Sequence, residues 1–461
     1  MSYSLDIIFL VGFLFINLFV GLYSGKGIRT IKEYALGDRN FPTVTLAATI
    51  VATWVSSNSL TITIAETYNS GLYYIIPGLA DTISFLVIAF FIAPRMGEFL
   101  GCLSVAEAMG KLYGNKAKSI TAILGIFPAV GNVATQFIIA SILLQNLIGI
   151  SSLYASLLSA FIVICYATFG GIKSVTFTDM IQFLTFGVII PTIAIAVFQN
   201  ISGSSAIFGY LANSELYEIK DVFNVSNPKF FSSLVLFTFL LIPGLDSAIF
   251  QRISMAKDTK QVTKAFLIAT GFCFLIDCMF YFIAFAMAAK EQLNLGSNDL
   301  ILHLINTYTP SYLKGIAIIG VLAMIMSTAD SYINSSSVLF SYDFCRSIGI
   351  KLSGKTELLL ARISSLIIGI AALALSLIST NLLEVLLVTY SFYMPVVSVP
   401  LLLAIFGFRT NVVVVLSGMF MGFITIVLFM LFSEIDGFIH GMLANLTTLI
   451  IGHCIVKKHL S

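Results

Sequence analysis

Long apolar runs recur along the chain and constrain its fold more than any other feature. Each run is about 20 residues long, the length an α-helix needs to cross the hydrocarbon core of a bilayer. Hydrophobic residues make up 58% of the 461 residues and charged residues only 10%. A soluble fold of this length could not bury so much apolar surface. We therefore predict an all-α polytopic membrane protein embedded in the lipid bilayer.

The apolar runs predict thirteen transmembrane spans, and the basic residues predict their orientation. With the N-terminus outside and the C-terminus cytoplasmic, only Lys220, Lys229, Lys290 and Lys314 of the 24 basic residues lie outside. This orientation places Arg252 on the cytoplasmic side, and an even number of spans would break the pattern. A multi-pass protein of the cell membrane is expected. The predicted spans are 4–23, 43–68, 71–94, 119–147, 151–169, 179–200, 229–250, 265–289, 315–340, 359–379, 383–407, 411–432 and 437–455.

No separate soluble domain is predicted. The longest stretches outside the spans, 201–228 and 290–314, are too short to fold alone, so we expect a single transporter domain over 1–461. None of the four histidines has a nucleophile or a metal-ligand partner at motif spacing, which argues against an enzyme. The basic residues follow topology, so nucleic acid is not an expected partner. The sequence does not predict the oligomeric state.

Two spans contain features that interrupt a helix. AATIVATWVSSNSLTIT at 47–63 surrounds Trp54 with Ser, Thr and Asn, whose side chains can replace backbone hydrogen bonds freed by unwinding. An ordinary polar helix–helix interface is the alternative. In LLIPGLDSAIFQR at 240–252, Pro243 and Gly244 are expected to kink the helix just before Asp246. Paired interrupted helices indicate a binding site in the middle of the membrane.

A polar stripe crosses the apolar helix that contains MSTADSYINSSS at 326–337. Ser327, Asp330, Ser331 and Asn334 recur at helical spacing and share one face. Hydroxyl, carbonyl and carboxylate oxygens suit a hard cation such as sodium, and no His or Cys in the stripe favours a transition metal. Hydrogen bonding between helices is the alternative.

Five segments together resemble the sodium/solute symporter family, which includes sodium-coupled proline, sugar, pantothenate and sialic acid transporters. The resemblance covers nearly the whole chain and implies a core of two inverted five-helix repeats. These repeats are 43–200 and 229–407, with 1–42 and 408–461 as peripheral helices. The segments are YALGDRNFP at 34–42, LSVAEAMGKLYG at 103–114, YATFGGIKSVTFTDMIQ at 166–182, DSAIFQRISMAKD at 246–258 and MSTADSYINSSSVLFSYDF at 326–344.

The resemblance implies a sodium site where the first broken helix meets the eighth core helix. VATWVSS and MSTADS match the family pattern. The match carries backbone carbonyl ligands to Ala52, Val55 and Met324, and hydroxyl ligands to Ser327 and Thr328. Sodium is the expected coupling ion, and no other cofactor is implied.

A second cation site is implied at Asp179, Asp330 and Ser331, because some relatives bind a second sodium at the corresponding positions. Here an aspartate stands at 330 where a hydroxyl is expected, which puts the geometry of this site in question. We expect Asp179 and Asp330 to act through a common cation. Without that cation the two carboxylates would repel, and one of them would hold a proton.

The resemblance also implies a solute site at the broken helices. The candidate residues are Asn58, Ser59, Asp81, Gln136, Phe239, Asp246, Tyr390 and Tyr393. The nearby segment 233–245 is almost entirely apolar, and each polyol hydroxyl buried without a partner costs about 1–3 kcal/mol. A small amino acid or organic acid is therefore favoured over a sugar.

The expected function is sodium-coupled symport of a small organic solute by alternating access. A proton-coupled symporter is the main alternative, because Asp179 and Asp330 could titrate if they are buried together. A receptor-like sensor module of the same fold is less favoured, since no kinase region appears in the sequence. A channel is disfavoured because no repeated selectivity-filter segment appears.

Overall fold

The predicted all-helical architecture is confirmed. The computed structural model describes residues 2–201, 204–291, 295–310, 313–350, 352–379, 381–432 and 437–460. In these residues, nine helices are long and apolar enough to cross a membrane, and four shorter apolar helices accompany them. Together they correspond one to one with the thirteen predicted spans.

Fourteen helices form the bundle, numbered in chain order. They are α1 Ser2–Ser24, α2 Thr43–Trp54, α3 Ser57–Ser70, α4 Leu72–Arg95, α5 Val105–Ile148, α6 Ser152–Gln199, α7 Pro228–Leu241, α8 Ser247–Ser254, α9 Thr259–Lys290, α10 Lys314–Ser347, α11 Gly354–Ile378, α12 Leu382–Ile405, α13 Val412–Phe432 and α14 Phe438–Leu460. Short helices in the connections are Ile31–Leu36, Ser204–Asn213, Glu215–Tyr217, Ile219–Val222, Ser297–His303 and Leu304–Tyr308. Within α4, α10 and α12, π-helical segments occupy Ile88–Ile92, Leu339–Phe344 and Met394–Ser398.

The first interrupted helix is the pair α2 and α3. α2 ends at Trp54, Val55 is extended with φ −72° and ψ 92°, and Ser56 caps α3. The Ser56 side chain accepts a hydrogen bond from the Ser59 backbone N–H at 3.2 Å. The polar residues that predicted the break therefore bind the backbone groups that it frees.

The second interrupted helix is the pair α7 and α8. α7 ends at Leu241, and α8 begins at Ser247. Between them Leu245 adopts φ 46°, a left-handed conformation that costs a residue with a Cβ about 1–2 kcal/mol. Hydrogen bonds from α12 hold this segment: Tyr393 donates to the Leu245 carbonyl at 2.9 Å, and Ser398 donates to the Gly244 carbonyl at 2.8 Å.

Two long helices bend at glycines instead of ending in loops. Gly114 in α5 has φ 80°, and Gly171 in α6 has φ 58°, values that glycine adopts without a steric penalty. The predicted spans 151–169 and 179–200 thus correspond to the two helical segments on either side of the bend, and the second segment begins at Gly170, earlier than predicted.

The helix that carries the polar stripe lies at the centre of the bundle. In α10, 94% of the most apolar window is buried, against 33% in α13 and 17% in α14. α10 packs against α1, α2, α5, α6 and α11, whereas α13 and α14 pack on each other and on α12. The stripe therefore faces other helices and is shielded from lipid.

Glycines allow the central helices to approach one another closely. A Cβ added at Gly131 of α5 would lie 2.8 Å from the Cβ of Thr389 on α12. A Cβ at Gly320 of α10 would lie 2.9 Å from the Cβ of Ile189 on α6. Small residues at helix contacts are typical of membrane bundles, since close packing replaces the hydrophobic driving force there.

Candidate functional site

Both helix interruptions open onto one cavity. Its volume is about 190 Å³, room for on the order of a dozen water-sized groups. The cavity is lined by residues of α2 to α5, of α7 and the break after it, of α8 to α10 and of α12. A cavity between broken helices in the middle of a bundle is the arrangement found at transporter binding sites.

The C-terminal end of α2 lies against the polar face of α10. The Val55 N–H makes the last intrahelical bond, to the Val51 carbonyl at 2.8 Å, so the Ala52 carbonyl lies beyond the hydrogen-bond ladder. Thr328 Oγ1 donates to the Thr53 carbonyl at 3.3 Å. The end of a helix carries partial negative charge, which favours a cation there.

The remaining predicted ligands of this site lie in the same buried region of α10. Ser327 Oγ donates to the Met324 carbonyl at 3.0 Å, and both residues are buried. Ala52 and Val55 flank Thr53 at the end of α2, and Met324 and Ser327 lie within about one turn of Thr328 on α10, so the contact of Thr328 with Thr53 joins the two groups of predicted residues. The donor set consists only of neutral carbonyl and hydroxyl oxygens, which fits a hard monovalent cation.

A buried arginine lies at the predicted second cation site. Arg252 of α8 is 1% exposed, and its Nη2 lies 3.5 Å from Asp179 Oδ2 of α6. The same nitrogen donates to the Ser331 hydroxyl, and Thr49 donates to Asp179 Oδ2. The prediction that Arg252 is one of the charged residues on the cytoplasmic side is wrong, because its guanidinium lies inside the bundle.

The second acidic residue belongs to the same cluster. Asp330 is fully buried, and Ser331 Oγ lies 3.4 Å from Asp330 Oδ1. Ser331 Oγ also lies 3.1 Å from Thr53 Oγ1, which connects this cluster to the end of α2. A proton was expected on one carboxylate because two carboxylates without a cation would repel each other. Arg252 supplies a positive charge at this place, so the reason for expecting that proton no longer applies.

Asp246 organises the end of the cavity formed by the second break. Its Oδ1 accepts the Ala248 and Ile249 backbone N–H groups, each at 3.0 Å, and so caps α8. Its Oδ2 accepts the Tyr332 hydroxyl at 2.9 Å and the Tyr390 hydroxyl at 2.8 Å. Four hydrogen bonds satisfy this carboxylate, which ties α8 to α10 and α12.

Two further carboxylates, one on α4 and one on α9, line the cavity. Asp81 of α4 accepts a hydrogen bond from Trp54 Nε1 at 2.6 Å. Asp277 of α9 makes no hydrogen bond or ion pair with a described residue, and it faces the same cavity. Tyr74 and Tyr281 line the wall beside them. This end of the cavity combines two carboxylates with three aromatic rings.

Most of the predicted solute-binding residues line the cavity, but two do not. Gln136 is fully buried and accepts the Ser57 hydroxyl at 2.5 Å, and Tyr393 donates to the Leu245 carbonyl. Both bind the interrupted segments and lie behind the cavity wall, so their predicted direct role is not supported by the geometry. The residues that do line it are Asn58, Ser59, Asp81, Phe239, Asp246 and Tyr390.

Three residues of this region were not identified from the sequence. Asp277 had a clear signal, since it is a lone carboxylate inside the apolar helix α9, and such residues are costly unless they are functional. Arg252 was attributed to topology because it lies near the predicted end of a span. Tyr332 lies within MSTADSYINSSS but not on the helix face that carries the polar stripe, so the spacing did not single it out.

Several known proteins are similar to this chain in sequence. The model of the Sodium:solute symporter family matches residues 34–422. The sodium/sialic acid symporter NanT of Aliivibrio fischeri is 21% identical over 474 residues, which cover 98% of this chain and 92% of that protein. The high-affinity choline transporter 1 of Torpedo marmorata is 25% identical over 451 residues, covering 91% and 75%.

A solved structure shares the fold. It is a substrate-bound outward-open state of a Na⁺-coupled sialic acid symporter, and it matches with a TM-score of 0.86 and 19% identity over 99% of this chain and 97% of that chain. At this identity the match establishes the fold alone. Since the family model covers most of the sequence and the polar features of the bundle agree with it, the chain belongs to the sodium:solute symporter family.

Proposed function

We propose that sodium binds where α2 ends against α10, and that a small organic solute binds in the adjacent cavity. The carrying observation is the contact of the open carbonyl end of α2 with Thr328. Carbonyl oxygens of Ala52, Val55 and Met324 and the two hydroxyls would hold the ion. Family membership already makes the chain a multi-pass, sodium-coupled solute transporter and not an enzyme.

The position of this site supports coupling between the ion and the solute. Val55 and Thr328 belong to the proposed sodium site and also line the solute cavity. A sodium ion between α2 and α10 would hold the backbone after Trp54 in one conformation. It would thereby determine the shape of the cavity wall. Binding of either partner then strengthens binding of the other by linkage. In this proposal, alternating access opens and closes the sodium site and the solute cavity together.

The cavity supports a solute of the size of an amino acid or organic acid, as the sequence favoured. Leu236, Leu240, Leu383, Leu386 and Met394 form much of one wall. Sugar hydroxyls facing these side chains would lose hydrogen bonds to water without replacement. The relatives transport solutes of different kinds by their names, glucose, sialic acid and choline among them, so their names alone do not fix the solute.

The sodium proposal is tested by removing both hydroxyl ligands. The double variant Ser327→Ala/Thr328→Ala should raise the half-saturating sodium concentration by at least about tenfold, equivalent to 1.4 kcal/mol. Sodium-dependent thermal stabilisation of the purified protein measures this without knowledge of the solute, with potassium chloride keeping the ionic strength constant. The control is Ser336→Ala/Ser341→Ala, whose hydroxyls bond only to their own helix, at 2.5 Å and 2.7 Å. If the half-saturating sodium concentration of the first variant is unchanged, the assignment of Ser327 and Thr328 as sodium ligands is wrong.

Uptake into proteoliposomes separates sodium coupling from the proton-coupled alternative. A panel of amines, amino acids, organic acids, sugars and vitamins is offered with an inward sodium gradient at constant pH. We expect uptake of at least one compound to require that gradient. Uptake driven by a proton gradient without sodium would favour the alternative.

A further inference from the structure

We infer that the transported solute is an organic cation, whose ammonium group binds between Asp81 and Asp277. This inference rests on the proposed solute cavity and replaces the amino acid or organic acid favoured by the sequence. The cavity contacts three charged side chains, all of them carboxylates, and no Lys, Arg or His among the described residues lines it.

The two carboxylates come from α4 and α9, which pack against each other beside the cavity. Asp81 lies nine residues into α4, and Asp277 lies thirteen residues before the end of α9, so both are about 13–20 Å along their helices from those ends. At that depth like charges repel strongly, and a carboxylate is costly unless a cation neutralises it. Asp277 has no such partner among the described residues.

Aromatic rings complete this part of the cavity. Tyr74, Gly78 and Asp81 share one face of α4, and Asp277 and Tyr281 share one face of α9. Gly78 leaves room for the Tyr281 hydroxyl, which a Cβ there would contact. The Trp54 ring packs edge-on against Phe85, 4.8 Å between centroids. Aromatic faces attract alkylammonium groups through cation–π interactions.

A carboxylate on the solute would find no matching site. The helix N-termini at the two breaks are the natural anion sites of such a cavity. α3 is already capped by Ser56 and α8 by the charged Asp246. Asp246 would repel a second carboxylate at α8. Leu236, Leu240, Leu383, Leu386 and Met394 line one wall of the cavity, so the part of the solute that lies there is expected to be compact and hydrocarbon-like.

Binding of a charge-matched series to the purified full-length protein tests this inference. Isobutylammonium, valine and isovalerate share a branched hydrocarbon body but are a cation, a zwitterion and an anion. Tetramethylammonium adds a cation that cannot lose its charge. The readout is the emission of Trp54, the single tryptophan of the chain, which lies in the cavity wall. Titrations are run in sodium chloride and in potassium chloride.

We expect both ammonium compounds to bind saturably in sodium, valine to bind at least about tenfold more weakly than isobutylammonium, and isovalerate to give no change. Asp277→Asn should weaken ammonium binding at least about tenfold, the effect of 1.4 kcal/mol. The control Asp299→Asn changes an exposed aspartate outside the cavity and should bind like the unaltered protein.

The outcomes separate this inference from the proposed sodium coupling. Valine or isovalerate binding as tightly as isobutylammonium overturns the ammonium site, and so does the absence of binding by both ammonium compounds. Equal ammonium binding in sodium and potassium supports the ammonium site but counts against sodium coupling. The comparison among the four compounds uses the unaltered protein, so it stands even if Asp277→Asn does not fold.

Discussion

Arg252 and Asp179 are opposite charges in a part of the bundle that water does not reach. Arg252→Met leaves the Asp179 carboxylate buried without its cation, which we expect to cost about 3–5 kcal/mol of stability. Asp179→Asn removes this ion pair but leaves the guanidinium beside Asp330, so its cost should be smaller. The double variant should cost clearly less than the sum of the two, since the Asp179 carboxylate and the Arg252 guanidinium are then both absent. A double-mutant cycle on the unfolding of the purified protein measures this coupling.

The control for this cycle is the exposed pair of Lys173 and Asp38, whose side chains are 42% and 66% exposed at 3.5 Å. Exposed pairs contribute about 0–1 kcal/mol, so Lys173→Met and Asp38→Asn should show little coupling. If the coupling of the buried pair is no larger than that of this control, Arg252 does not neutralise Asp179.

Residues that share one face of a single helix could be predicted from the sequence. Contacts between residues on different helices could not. Ser327, Asp330 and Ser331 were predicted because helical spacing alone puts these polar residues on one face. The bond between Arg252 and Ser331 joins positions 79 residues apart. Such a contact depends on how whole helices pack, and no local pattern records it.

Helix interruptions were predicted where their cause is local. Pro243 and Gly244 break a helix by their own stereochemistry, and the Ser and Thr residues around Trp54 bind the freed backbone. The bend at Gly171 was not predicted, because a glycine adopts either sign of φ and the surroundings choose between them. There Tyr34 lies close to the position that a Cβ would take, at 3.0 Å.

The contact of α5 with α12 depends on Gly131. A methyl group there would overlap the Thr389 side chain, so Gly131→Ala is expected to destabilise the protein by about 1–3 kcal/mol through overpacking. Gly187→Ala on α6 is the matched control, since nothing lies within 4 Å of its Cβ position. The control should be neutral or stabilising by up to about 1 kcal/mol.

Thermal unfolding of the purified variants measures this difference. Removing side-chain volume opposite the glycine with Thr389→Ala should restore part of the loss in Gly131→Ala. Equal stability of Gly131→Ala and Gly187→Ala would show that α5 and α12 are not packed as closely as described.

At the scale of the whole molecule, the central position of α10 agrees with the bundle implied by the resemblance. The boundaries of the two repeats, 43–200 and 229–407, remain predictions, as does the orientation of the termini. Each proposed repeat contains one interrupted helix, α2–α3 in the first and α7–α8 in the second. The two breaks meet at one cavity, so motion of one repeat against the other would change access to it.

Cysteine labelling tests whether access to this cavity changes during transport. Ser59→Cys and Leu386→Cys are placed in a variant without native cysteines, since Cys278 and Cys454 are exposed. We expect the rate of labelling by a membrane-impermeant maleimide to change when sodium is added. Ser226→Cys, in the exposed connection before α7, is the control and should not respond. A cysteine at 246 is unsuitable because Asp246 caps α8.

Constant labelling of both cavity cysteines with and without sodium would contradict an ion-dependent change of access. A change confined to Ser59→Cys would place the motion at the break after α2 alone. A change at both positions supports movement of α12 together with that break.

The buried cluster of Asp179, Asp330 and Arg252 has a consequence for how the membrane potential acts on the protein. With all three ionised, the cluster carries one net negative charge, and a sodium ion at the proposed site between α2 and α10 would bring the net charge of the cluster and the site together to zero. The potential does work of about 2.3 kcal/mol per elementary charge per 100 mV. If sodium binds as proposed, a rearrangement of the sodium-bound bundle would be nearly insensitive to voltage. The return without sodium would carry negative charge, and voltage would set the rate of that step.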